Sequence, residues 1–205
     1  MKQTSSTTFA ETGAGGSGAT IVGNLTMVAG ALFALGALLS AAVEWAWLAV
    51  IVGFALLVYV LPRLHRFQSP ADGWSGRIGS LLGAAGAVLM VTLGVIFLVW
   101  EAVGTPDEPA WAGVLWMAGF FAFLIGVVLF AVGSAMARRF TTGAPVIMLV
   151  GPAAAVAIDM MTGAFFADDG SVTEWGFYIG VPLFGLGLAW IGYALAHASR
   201  APMAG

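Results

Sequence analysis

Six long apolar stretches dominate this chain of 205 residues. Each approaches or exceeds the ~20 residues that an α-helix needs to cross about 30 Å of hydrocarbon. Only 8% of the residues are charged, against roughly 25% in soluble domains, so a water-soluble fold would lack the charge to cover its surface. The sequence predicts an all-α membrane protein, a bundle of six transmembrane helices over residues 19–40, 45–62, 78–102, 111–136, 144–166 and 176–197.

The division between the first two stretches is the least obvious one. Residues 20–61 contain only Glu44 as a charge and no proline. A serine, a carboxylate and two tryptophans in "SAAVEWAW" are typical of an interfacial turn, so we divide the helices there. Without this turn the chain would have five spans.

The basic residues all fall on one side of the predicted topology, in the tails and in the connections after spans 2 and 4. The positive-inside rule therefore predicts that both termini are cytoplasmic. We expect a disordered tail at residues 1–18, a transmembrane domain at residues 19–198 and a short tail at residues 199–205. These basic residues are Lys2, Arg63, Arg66, Arg77, Arg138, Arg139 and Arg200.

The longest cytoplasmic connection is predicted at residues 62–77, "PRLHRFQSPADGWSGR". Attraction of its three arginines to anionic lipid headgroups explains the composition. The connection is also the best place in the sequence for a partner subunit to dock.

Glycine spacing predicts where the helices touch. Transmembrane helices associate where small residues let their backbones approach, and a seven-residue repeat keeps one seam facing a neighbour. Span 4 and span 1 carry glycines at seven-residue intervals, and span 3 opens with a GxxxG motif. The predicted helix-contact residues are Gly119, Gly126, Gly133, Gly23, Gly30, Gly79 and Gly83.

Asp159 is the main candidate for chemistry, because "AVAIDMMTG" places a carboxylate inside an apolar span. An ionised carboxylate in hydrocarbon is costly, and no basic residue is predicted at its depth. One interpretation is a hydrogen-bonding strut to a neighbouring helix. The other is a proton or cation site shared with Glu101, which requires spans 3 and 5 to be neighbours.

Two other polar side chains in the spans, Asn24 and Thr162, are candidates for hydrogen bonding between helices. Thr162 shares a narrow face of small and polar residues with Asp159. Asn24 lies in the inner part of span 1 and forms no continuous polar path with Asp159. This gap argues against a proton channel.

The only two histidines, His65 and His197, lie at the predicted cytoplasmic boundary. Two facing imidazoles can ligate one haem, but histidines near basic segments are usually surface residues, so we expect no cofactor. The chain has no cysteine, and no metal-binding or catalytic pattern is recognisable. Most of the tryptophans lie at the outer span ends, which is typical of an interfacial belt; a lipid, quinone or carotenoid cleft is the alternative.

Three segments resemble a group of small six-span bacterial integral membrane proteins for which no function is established. They are "GRIGSLLGAAGAVLM", "GVVLFAVGSAMARRFTTGAPVIMLVGP" and "FGLGLAWIGYALAHASR". In that group a glycine-led helix ends in a glutamate that corresponds to Glu101. The resemblance implies the fold and a location in a bacterial plasma (inner) membrane, and it implies no activity.

Together these patterns predict a non-enzymatic membrane protein, an accessory or scaffold subunit that packs with partner proteins, lipids or pigments. It would contact membrane lipids and membrane-protein partners or further copies of itself, and no nucleic acid. The alternative is a small proton- or cation-linked transporter or channel that uses Asp159 and Glu101.

Overall fold

The computed structural model describes residues 13–69, 71–104, 110–138, 143–163 and 175–198. These ranges contain six α-helices and no strand, and all six helices are long and apolar enough to cross a membrane. The predicted all-α bundle of six helices is therefore confirmed. The helices are α1 (Gly13–Ser40), α2 (Trp47–Gln68), α3 (Gly73–Val103), α4 (Ala110–Ala137), α5 (Gly143–Thr162) and α6 (Trp175–Ala198).

The first two helices divide where the sequence predicted. Helix α1 ends at Ser40, whose hydroxyl donates a hydrogen bond of 2.7 Å to the Ala37 carbonyl. A single 3₁₀ turn, Glu44–Ala46, leads directly into α2. The described residues therefore form six helices of membrane-spanning length and not five.

The predicted connection at residues 62–77 is wrong, because most of it is helical. Helix α2 continues to Gln68 and α3 begins at Gly73, which leaves only residues 69–72 between them. The apolar periodicity of α2 passes through Pro62 and keeps one face inside the bundle. The residues on that face are fully buried: Leu57, Leu61, Leu64 and Gln68.

Two other boundaries differ from the prediction. Helix α1 begins at Gly13, inside the predicted tail at residues 1–18. Helix α5 ends at Thr162 and is followed by Gly163, whose φ of 80° is left-handed, as is common after a helix. The predictions for residues 1–12, 164–166 and 199–205 lie outside the described residues.

The helices form a closed ring in chain order. Each helix packs against the next one, and α6 packs back against α1. Neighbours are antiparallel, since the start of one contacts the end of the next, as Gly23 of α1 does with Ala196 of α6. One end of the bundle, here called the basic end, therefore carries the described arginines, which are Arg63, Arg66, Arg77 and Arg138.

Glycines bring the helix backbones into direct contact. Between α3 and α4, Gly126 lies against the backbone of Gly83, Gly79 against Phe130, and Gly133 against Gly76. A side chain at these positions would overlap a neighbouring backbone. Helices α1 and α6 cross in the same way, with Gly23 against Gly192 and Gly30 against Gly185, while Gly119 packs against Leu89. Every glycine predicted to mark a helix contact thus lies at one.

Four phenylalanines fill the centre of the ring, one each from α1, α2, α4 and α6. They are buried and contact each other edge to face in a closed cycle, with centroid separations of 4.9, 4.9, 5.5 and 5.2 Å. Aromatic rings favour this geometry over a face-to-face sandwich. We call this group the phenylalanine core; its members are Phe33, Phe54, Phe123 and Phe184.

Candidate functional site

Asp159 caps the neighbouring helix α6. It lies in the last turn of α5, and its Oδ1 accepts a hydrogen bond of 2.8 Å from the backbone N–H of Gly176. Gly176 is the second residue of α6, and the first N–H groups of a helix have no partner within the helix. A carboxylate at this position satisfies such a donor and interacts favourably with the helix dipole. The bond is of the kind that the strut interpretation required.

Close packing holds the two groups together. A Cβ added to Gly176 would lie 2.5 Å from Oδ2 of Asp159 and would overlap the Ala155 carbonyl oxygen. Only glycine therefore lets α6 begin this close to α5. The aspartate on one helix and the glycine on the next act as a single interhelical contact.

The structure does not bring Glu101 to Asp159. In the described ranges the backbones of α3 and α5 do not approach each other, and α4 lies between them in the ring. Glu101 is exposed near the end of α3. The condition for a shared carboxylate site, that spans 3 and 5 are neighbours, is not met.

The two predicted polar packing residues lie outside helix contacts. Thr162 is exposed, and its hydroxyl donates to the Ile158 carbonyl of its own helix at 3.0 Å. Asn24 is on the exposed face of α1. The sequence identified both as polar groups within spans but did not show which way each one points.

At the basic end, a set of buried polar side chains connects α2, α3 and α4. The Nδ1 of His65 lies 2.6 Å from Oδ2 of Asp72, which is fully buried, and the Ser75 hydroxyl donates to the Asp72 carbonyl at 3.1 Å. On the side facing α4, the Ser134 hydroxyl donates to Oε1 of Gln68 at 2.9 Å. We call these five residues the basic-end cluster.

Two atoms of the basic-end cluster have no hydrogen-bond partner in the described part of the chain. The Nε2 of Gln68 and the Oδ1 of Asp72 are both buried without a hydrogen bond. Buried polar atoms are nearly always satisfied by protein or by ordered water. The sequence did not predict this cluster, because the composition of residues 62–77 is typical of a loop. The helical spacing of Leu57, Leu61 and Leu64 was the available signal that Gln68 faces inward.

The two histidines do not face each other. His65 pairs with Asp72 on α2 and α3, whereas the ring of His197 stacks on Tyr193 in the last turns of α6, with a centroid separation of 3.9 Å. Within the described ranges the backbones of α2 and α6 do not approach each other. The geometry required for one haem between these histidines is therefore not present.

Two open grooves lie on the outside of the bundle at the basic end. The α4–α5 groove has a volume of about 570 Å³ and contains Arg138 among mostly apolar side chains. The α1–α2 groove is smaller, about 350 Å³, and contains two arginines. The residues that line the α1–α2 groove are Gly18, Ile21, Val22, Tyr59, Arg63, Arg66 and Phe67.

Comparisons with known proteins do not assign this chain to a family. No protein-family model matches the chain, and no match was found among curated proteins or solved structures. The resemblance to small six-span bacterial membrane proteins therefore stays a prediction, and the functional argument depends on geometry.

Proposed function

We propose that this integral membrane protein is a non-enzymatic accessory or scaffold subunit, whose working surfaces are the outer faces of its helices. The observation that supports this proposal is the closed interior. Glycines bring the backbones together in three helix pairs, α3 with α4, α1 with α6 and α5 with α6. The phenylalanine core fills the space between α1, α2, α4 and α6. A transport path or catalytic pocket would need polar space inside the bundle.

The two carboxylates that favoured transport do not form a shared site in the fold. The Asp159 carboxylate accepts a hydrogen bond from the start of α6. Glu101 lies on α3, whose backbone does not approach that of α5 in the described ranges. A proton or cation carrier would instead need its carboxylates to face each other or a water-filled path. We therefore favour the subunit over the transporter that uses Asp159 and Glu101.

The proposed location is a bacterial plasma membrane, with both termini in the cytoplasm. The arginines at the basic end support this orientation, since cytoplasmic segments near helix ends are enriched in Lys and Arg. The basic-end cluster would then lie at the cytoplasmic side. The connection between α2 and α3 is too short to form a large docking loop.

Partner proteins would contact the outward side of α5, the helix that the ring covers least. Its exposed residues include Val146 and Val150, on the side away from α6. Such apolar side chains suit a neighbouring transmembrane helix as well as they suit lipid. If α5 forms a subunit interface, its outward side should contact a specific protein, whereas the outward sides of the other helices should contact lipid.

Site-specific photo-crosslinking in native membranes tests this proposal. A benzophenone amino acid replaces Val146 or Val150 on α5, and Val95 or Val99 on α3 serves as the equally exposed control. We expect one discrete protein adduct from the α5 positions and only lipid adducts from α3. Lipid adducts at all four positions, together with ion flux through the purified protein, would reject the subunit in favour of the transporter.

A further inference from the structure

The α1–α2 groove contains two arginines, Arg63 and Arg66, and contacts with Tyr59 hold the first of them in place. The Arg63 guanidinium lies over the Tyr59 ring, with its Cζ 3.3 Å from the centroid, and its Nη1 donates to the Tyr59 carbonyl at 3.3 Å. Arg66 follows three residues later, and this spacing puts both side chains on one face of α2. The stacking on Tyr59 fixes Arg63 at the groove.

These two positive charges have no acidic partner in the described part of the chain. The ion pair found there joins His65 and Asp72, which lie away from the groove. Two neighbouring guanidinium groups repel each other, and an anion between them would relieve this repulsion. Arginine is well suited to phosphate because its planar fork can donate two parallel hydrogen bonds.

Apolar side chains continue the same groove towards the membrane. Ile21 on α1 is 54% exposed and lines the groove together with Val22. A small inorganic anion would leave this surface uncovered. A phospholipid would cover it with an acyl chain while its phosphate contacts the arginines.

We propose that the α1–α2 groove binds an anionic phospholipid, with its phosphate at Arg63 and Arg66 and an acyl chain along Ile21. A zwitterionic lipid would bind less well, because its ammonium group would lie near two arginines. Basic pockets between transmembrane helices are known to favour anionic headgroups. This inference depends only on the membrane-spanning bundle and does not require the chain to be a subunit of a larger assembly.

Native mass spectrometry of the full-length protein in detergent micelles, titrated with phosphatidylglycerol, tests the site. We expect Arg63→Gln or Arg66→Gln to weaken binding about 5-fold and the double variant about 30-fold, from about 1 kcal/mol for each basic residue. Arg77→Gln is the matched control, since Arg77 is exposed at the same end but outside the groove. It should change binding less than 2-fold.

A second variant blocks the groove without changing charge. Gly18 lines the groove, and a Cβ added there meets no atom within 4 Å. Gly18→Leu should therefore fold normally, place a side chain in the groove and lower phosphatidylglycerol binding at least 5-fold. This variant carries the test if the double arginine variant does not fold.

Several results would overturn the proposal. Unchanged phosphatidylglycerol binding in Gly18→Leu would show that the lipid lies elsewhere. An equal loss in Arg77→Gln would indicate general attraction to the basic end. Equal binding of phosphatidylcholine, or displacement of the lipid by millimolar inorganic phosphate, would show that the groove does not recognise an anionic lipid.

Discussion

Asp159 gives the sharpest prediction, because a cap and an ion site respond differently to the same substitutions. Asp159→Ala removes the acceptor for the Gly176 N–H, which lies 2.8 Å from Oδ1. Replacing a helix cap by alanine costs about 0.5–2 kcal/mol. The start of α6 borders a membrane, where water is a poor substitute partner. We therefore expect a loss near the upper value, about 2 kcal/mol.

Asp159→Asn separates the hydrogen bond from the charge. The asparagine amide keeps a carbonyl oxygen that can accept from Gly176, and only the favourable interaction of a carboxylate with the helix dipole is lost. That interaction contributes about 0.3–1 kcal/mol. The predicted order of stability is wild type, then Asp159→Asn, then Asp159→Ala.

Equilibrium unfolding in mixed detergent micelles, followed by far-ultraviolet circular dichroism, measures these differences. Thr162→Val is the matched control, since the Thr162 hydroxyl bonds only carbonyls of its own helix. It should alter the free energy of unfolding by less than about 0.5 kcal/mol. An Asp159→Ala protein as stable as wild type, or an Asp159→Asn protein less stable than Asp159→Ala, would refute the cap.

Two further predictions use matched pairs in the same unfolding assay. Gly126→Leu should destabilise the bundle by about 3 kcal/mol or more, because its side chain overlaps the Gly83 backbone. Gly113→Leu, with open space around its Cβ, should not destabilise it; equal losses would contradict glycine packing. Ser134→Ala should cost about 1–3 kcal/mol, because it leaves buried Gln68 without its partner. Ser80→Ala should lower the free energy of unfolding by less than half as much, because the Ser80 hydroxyl donates to a carbonyl of its own helix. Equal losses in the two variants would contradict a role for the α2–α4 contact.

Hydropathy was sufficient to predict the six helices, since each must be apolar over the thickness of a membrane. Helix ends were less predictable. The polar residues after Pro62 were typical of a loop, yet Leu64 and Gln68 continue the buried face of α2. A helix that leaves the hydrocarbon can stay helical if one face still packs on its neighbours, and bulk hydropathy does not report this.

The partners of polar residues were harder to predict than the residues themselves. Asp159 was recognisable as an unusual carboxylate, but its partner is the backbone N–H of Gly176, and a backbone donor has no signature in the sequence. Asp72 was overlooked because the sequence Pro-Ala-Asp-Gly is typical of a turn. Its pairing with His65 depends on how α2 and α3 meet.

Ion flux through the purified protein tests the closed interior most directly. Liposomes containing wild type, Asp159→Asn or no protein are given a potassium diffusion potential, and a trapped dye reports proton entry. With the phenylalanine core filling the bundle and Asp159 bonded to α6, all three samples should take up protons at the same rate. Proton entry well above the protein-free rate in wild type, abolished by Asp159→Asn, would contradict the closed bundle and identify Asp159 as part of a transport path.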